Sequence, residues 1–149
     1  MECDVSYGYF IDAFYQVEEV HFYFYFVEFY YERALDTYIS IYGENHPDVV
    51  KSYDNLVRVN NKLGNYSKVV DACEIILKIC IPIYGEGHPN IASVYFHLAI
   101  AYSMLEDYTN ALNVMNKSYD IFKSHLPADA PLLNTLREAI ENLKTKVNE

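Results

Sequence analysis

The sequence is poor in glycine and proline, with five of each in 149 residues, and nearly all of both fall between periodic segments. Punctuation that sparse argues for long helices and against a β-sandwich. Basic charge is also scarce: eleven Lys and Arg against twenty-one Asp and Glu leave a net charge of −10. A chain that acidic is not expected to bind nucleic acid or an anionic membrane surface. Cysteine occurs three times, at Cys3, Cys73 and Cys80, without zinc-finger spacing and without the framework of a small secreted domain. That usage fits a reducing, cytoplasmic compartment. The aromatic run Phe22 to Val27 is far too short to span a bilayer, and no basic stretch precedes an apolar one as in a signal peptide. Also missing are a glycine-rich phosphate loop, a His-Glu-x-x-His pair and a nucleophile with a convincing base. No catalytic residue, metal or cofactor is expected.

What is present is a repeat. Ile41-Tyr42-Gly43-Glu44-Asn45-His46-Pro47-Asp48-Val49 returns 42 positions later as Ile83-Tyr84-Gly85-Glu86-Gly87-His88-Pro89-Asn90-Ile91. A third, eroded copy reads Leu126-Pro127-Ala128-Asp129-Ala130-Pro131-Leu132-Leu133. Each copy punctuates a helix, the first two with Gly as an αL stop and all three with Pro or Asp at the restart. A fixed period of this size is the mark of a solenoid.

Between the copies the apolar residues keep helical spacing. Val49, Tyr53, Leu56, Asn60 and Leu63 share one face, Gly64-Asn65 breaks the helix, and Tyr66, Val69, Val70, Cys73, Ile76, Leu77 and Cys80 begin another. The next unit repeats the register with Ile91, Tyr95, Leu98, Tyr102 and Leu105, a turn at Glu106-Asp107, then Tyr108, Ala111, Leu112, Met115, Tyr119 and Phe122. The final segment keeps the first-helix register but becomes wet, with Arg137, Glu141 and Lys144 at the positions of Tyr53, Val57 and Asn60. A terminal cap needs such a side. Carried back by the same period, Ile11, Phe14 and Glu18 align with Tyr53, Leu56 and Asn60. The expected fold is therefore all-α, a right-handed α-solenoid of antiparallel helix pairs. Its parts are a degenerate repeat over 1–42, repeats over 43–84 and 85–126, and a cap over 127–149. Helices are expected near 6–20, 23–42, 48–63, 66–83, 90–105, 108–124 and 132–147. The aromatics of the first segment either fill the end of the stack or dock on another copy or a longer parent protein.

The linker Tyr42-Gly43-Glu44-Asn45-His46-Pro47-Asp48-Val49-Val50, with Asn55-Leu56, Leu63-Gly64-Asn65-Tyr66, Leu98-Ala99 and Ala111-Leu112, resembles tetratricopeptide repeats. The likeness is to the longer form found in kinesin light chains and nephrocystin-like arrays. It departs at Asp54-Asn55 and Phe96-His97, where the family pairs two asparagines, and nothing resembles the heptad segment of kinesin light chains. The resemblance implies a non-catalytic scaffold whose first helices line a groove for peptides with an aromatic residue among acids.

Lys51, Asn55, Arg58 and Lys62 fall within an arc of about 60° on the first clean helix. They form either a groove wall or an ordinary solvated face. The matching face of the next unit carries Ser93, Phe96, His97, Ile100 and Met104, an apolar ledge. Together they would suit a protein or peptide partner that is acidic with an apolar anchor. Three functional readings stand: a peptide-binding scaffold, a self-associating structural piece, and a regulatory domain of a larger enzyme. His46 and His88 occupy identical turns but lack further ligands, so each is read as capping or packing its own turn. Cys73 and Cys80, seven apart on one face, are read as core.

Overall fold

A computed structural model describes the backbone of residues 5–149 and the side chains from residue 20 onward. It contains six helices: α1 Val5–Tyr42, α2 Pro47–Leu63, α3 Tyr66–Tyr84, α4 Pro89–Met104, α5 Tyr108–His125 and α6 Pro131–Val147. Among the described residues there is no strand. Each helix packs on its neighbours in sequence, as stacked hairpins do.

Two kinds of turn produce this order. At the linkers, Gly43 and Gly85 both have φ of 81°, and each donates its N–H to a carbonyl four residues back, on Ile39 and Ile81. Gly85 combines that φ with ψ of 153°, a region open only to glycine, rather than the αL conformation expected of it. His46 and His88 then act as N-caps. Their Nδ1 atoms accept from the N–H of Asp48 at 3.2 Å and of Asn90 at 3.1 Å, and Pro47 and Pro89 open the helices. Each imidazole also lies over the tyrosine before the turn, Tyr42 at 4.4 Å and Tyr84 at 5.1 Å.

Inside each hairpin the turn is tighter. Gly64 is αL, and Asn65 N–H reaches Asn60 O at 2.9 Å. One period later Glu106 takes the same left-handed conformation at φ 63°, and Asp107 N–H reaches Tyr102 O at 2.9 Å.

The first segment differs from the expected helices over 6–20 and 23–42. It is one helix of 38 residues. The reason lies at the positions of the inner turn, where Phe22 and Tyr23 replace Gly64 and Asn65. A bulky residue resists the left-handed conformation, and no other stop signal interrupts Tyr9 to Tyr42, so the helix runs on. The expected hairpin is absent, and α1 supplies only the second helix of a unit.

The main core runs from α2 to α6 through Val57, Val69, Cys73, Ile76, Ile91, Leu98, Ala99, Ala111, Leu136 and Ile140. A smaller cluster of Leu35, Val49 and Leu56, with Tyr31, Ile39 and Tyr53, joins α1 to α2. Lys68 of α3 also reaches back to α1, bonding the nearly buried Glu28 carboxylate at 2.6 Å and Glu32 at 3.4 Å. In the second unit Glu86 of the linker accepts from Tyr95 Oη at 2.9 Å and faces Lys117 at 3.5 Å. Burial, followed by this carboxylate, pushes the Tyr95 phenol up to about 12. Burial likewise drives the Cys73 thiol to about 12, so it packs as an inert core residue.

Candidate peptide-binding cleft

α3 packs on both first helices, α2 on one side and α4 on the other, and so bridges them. A cavity of about 390 Å³ opens there. Its floor is apolar, from Ile76, Cys80 and Ile83 of α3 and Ile91 and Val94 of α4. Lys51, Asp54 and Arg58 of α2 stand on one side, with Asn90 and Ser93 of α4 on the other. Asn45, Pro47 and Tyr84 close the linker end. The helix register fixes this arrangement. Lys51, Asp54 and Arg58 lie at i, i+3 and i+7, while Val49, Leu56 and Val57 hold the other sides of α2 in the core.

Of the residues singled out in the sequence, the cavity gathers Lys51, Arg58 and Ser93. Asn55, Lys62, Phe96, His97, Ile100 and Met104 lie outside its lining. Lys62 and Met104 are exposed, and Phe96, His97 and Ile100 are half-buried, Phe96 packing on the main core. Sequence reasoning missed Asp54, whose Oδ2 lies 2.8 Å from Arg58 Nη2. The i,i+4 spacing could have signalled it. The floor residues of α3 were not singled out as a site: Ile76 and Cys80 belong to the core as expected, and Ile83 was read only as part of the linker. Lys51 and Lys62 form no ion pair among the described residues. Burial lowers the pKa of His97; Asp54 opposes that shift and Arg58 adds to it, so the second unit's imidazole senses the first unit's pair. Among the described residues no three His, Cys, Asp or Glu side chains gather as a metal site.

A family model for tetratricopeptide repeats matches residues 62–124, and a second matches 30–48. The chain is a tetratricopeptide repeat protein. Among solved structures, BtubC (BKLC) from P. vanneervenii is similar with a TM-score of 0.71 at 18% identity, over 81% of this chain and 48% of that one. The nearly identical TPR-like repeats assigned to a kinesin light chain of Podosopora anserina give 0.72 at 15% identity, over 89% and 67%. A single-substitution variant of those repeats gives the same figures. The aligned part of this chain thus spans about half the length of BtubC. At such identities the likeness is one of fold, repeats stacked in the kinesin light chain manner. No curated protein matches the sequence. A tetratricopeptide repeat array is a protein–protein interaction scaffold, and a typically non-catalytic one. No helix among the described residues is long and apolar enough to cross a membrane.

Proposed function

We propose that this tetratricopeptide repeat protein binds a short acidic segment of a partner protein in the cleft between α2 and α4, with one bulky apolar side chain of that segment in the cavity. The observation that carries the reading is the cavity itself. In a protein of net charge −10 its rim holds two cations, Lys51 and Arg58, over a floor of Ile76, Cys80, Ile83 and Val94. A carboxylate on the ligand would meet Lys51 directly, and would share Arg58 with Asp54, whose contact orients the guanidinium. The apolar anchor would supply most of the affinity by displacing water from the floor.

Fluorescence anisotropy with labelled peptides tests this. Acidic peptides carrying one aromatic residue should bind more tightly than basic or scrambled ones. Lys51→Glu or Arg58→Glu should weaken binding about tenfold or more and flatten its salt dependence. Lys144→Glu, on the exposed face of α6, should do neither. Equal binding of basic peptides, or indifference to both cleft reversals, would make the rim an ordinary solvated face.

A second reading, self-association through the first segment, is favoured by the aromatics of α1. Phe22, Tyr23, Tyr25, Phe26, Phe29 and Tyr30 are all more than half exposed. A contiguous apolar surface of that kind marks a contact with something.

A further inference from the structure

On α3, Val69, Ala72, Ile76 and Cys80 form a stripe along one side, with exposures of 0%, 7%, 3% and 5%. Their counterparts on α5 are Ala111, Val114, Ser118 and Phe122, of which the first three are buried and Phe122 is half-buried. These are the positions that a second helix turns towards the first helix of its own unit. On α1 the same positions are Val27, Tyr30, Ala34 and Tyr38. Val27 and Ala34 are only half-buried, Tyr30 is 56% exposed and Tyr38 is 37% exposed. The neighbouring face of α1, roughly 90° round the helix through Tyr31, Leu35 and Ile39, already packs on α2 as a second helix should. The slot that stands open on α1 is therefore that of its own missing first helix.

The chain contains a segment shaped for that slot. Residues 6–20 have first-helix length and stand in first-helix register, with Ile11 and Phe14 at the positions of Tyr53 and Leu56. The segment cannot reach the slot in its own chain, because α1 continues straight through Phe22 and Tyr23 and carries residues 5–22 about 27 Å along the axis. We propose that two copies exchange these segments, the N-terminal half of each α1 lying in the first-helix slot of the partner. The exchange is reciprocal, so one twofold axis satisfies both slots and the assembly closes as a dimer. The two uninterrupted hinges then cross near the axis. Phe22, Phe26 and Phe29, which stand where the next unit has Gly64 and the charged Lys68 and Asp71, face the second copy there.

This inference rests on the self-association reading, and the two can fail separately. Sedimentation velocity of the full chain, from low to high micromolar concentration, should show a monomer passing into a dimer. Phe22→Gly with Tyr23→Asn restores the turn residues of the next unit. It should give a monomer at every concentration, with helix content nearly unchanged and the amides of residues 24–41 as protected from hydrogen exchange as in the dimer. A full chain that stays monomeric throughout overturns both readings. A double variant that still dimerises keeps self-association and overturns the exchange. So does a monomeric double variant whose 24–41 amides lose protection, because the turn would then have broken a contact without closing the hairpin.

Discussion

Helices α1 and α3 occupy equivalent places in successive repeats, and they differ in surroundings more than in pattern. Both carry apolar residues at the positions of Val69, Ala72, Ile76 and Cys80. On α3 these are buried, with Ile76 and Cys80 on the floor of the cleft, while on α1 Tyr30 and Tyr38 stand open. A repeat position in a solenoid is thus buried by the helix laid against it, and its own apolarity only makes it available. Two residues decide between the outcomes. Gly64-Asn65 turns the chain back to form the α2–α3 hairpin, and Phe22-Tyr23 does not.

The largest expected effect separates the interior of the stack from its end. Leu98 lies in the main core, and its counterpart Leu56 in the small cluster shared with α1. Leu98→Ala should cost about 3–5 kcal/mol by chemical denaturation and Leu56→Ala about 2–3, because the end can collapse around a cavity more easily. Equal costs would erase the distinction between the complete units and the first one.

A smaller effect probes the turns. Gly85 has no atom within 4 Å of where a Cβ would stand, so Gly85→Ala meets no clash, yet its backbone conformation excludes alanine. That change should destabilise by about 1–3 kcal/mol. Glu106→Gly should stabilise by about 0.5–1 kcal/mol, since it relieves a left-handed residue at the place where the first unit already has Gly64. Loss of stability in Glu106→Gly would show that the side chain has another task at that turn.

The smallest effect comes from the half-buried imidazole of the second unit, His97. Burial holds the folded-state pKa of His97 below its usual 6.5. In the window beneath 6.5 the unfolded chain therefore binds more protons than the folded one. The stability contributed by neutral His97 is complete above that window and is lost as pH falls through it. His97→Gln should flatten this part of the stability–pH profile. An unchanged slope would assign it to other groups.

Much of this architecture was legible because the determinants are local. Gly43, Gly64, Gly85, Pro47, Pro89 and Pro131, together with the Glu106-Asp107 turn, mark α2 to α6 to within a residue or so. The first segment misled for a physical reason. Its apolar positions keep the period, but the period continues through a turn whose residues are missing. Helical spacing put Lys51 and Arg58 on one face of α2 and Ser93 on the matching face of α4, and only the family resemblance made those faces a groove wall. The floor of Ile76, Cys80 and Ile83 could not be placed from spacing, because a cavity among three helices depends on how closely they pack. The Arg58–Asp54 contact was within reach of the i,i+4 spacing, although Asp54 lies just beyond the edge of the basic arc.

Amide hydrogen exchange measured at a series of protein concentrations tests most directly whether cover, rather than sequence, sets the stability of a repeat position. At low concentration the amides of residues 24–41 in α1 should exchange faster than their counterparts 66–83 in α3, and their protection should rise with concentration while that of α3 stays fixed. Equal protection of the two helices at every concentration would contradict the account, since α1 would then need no helix beside it.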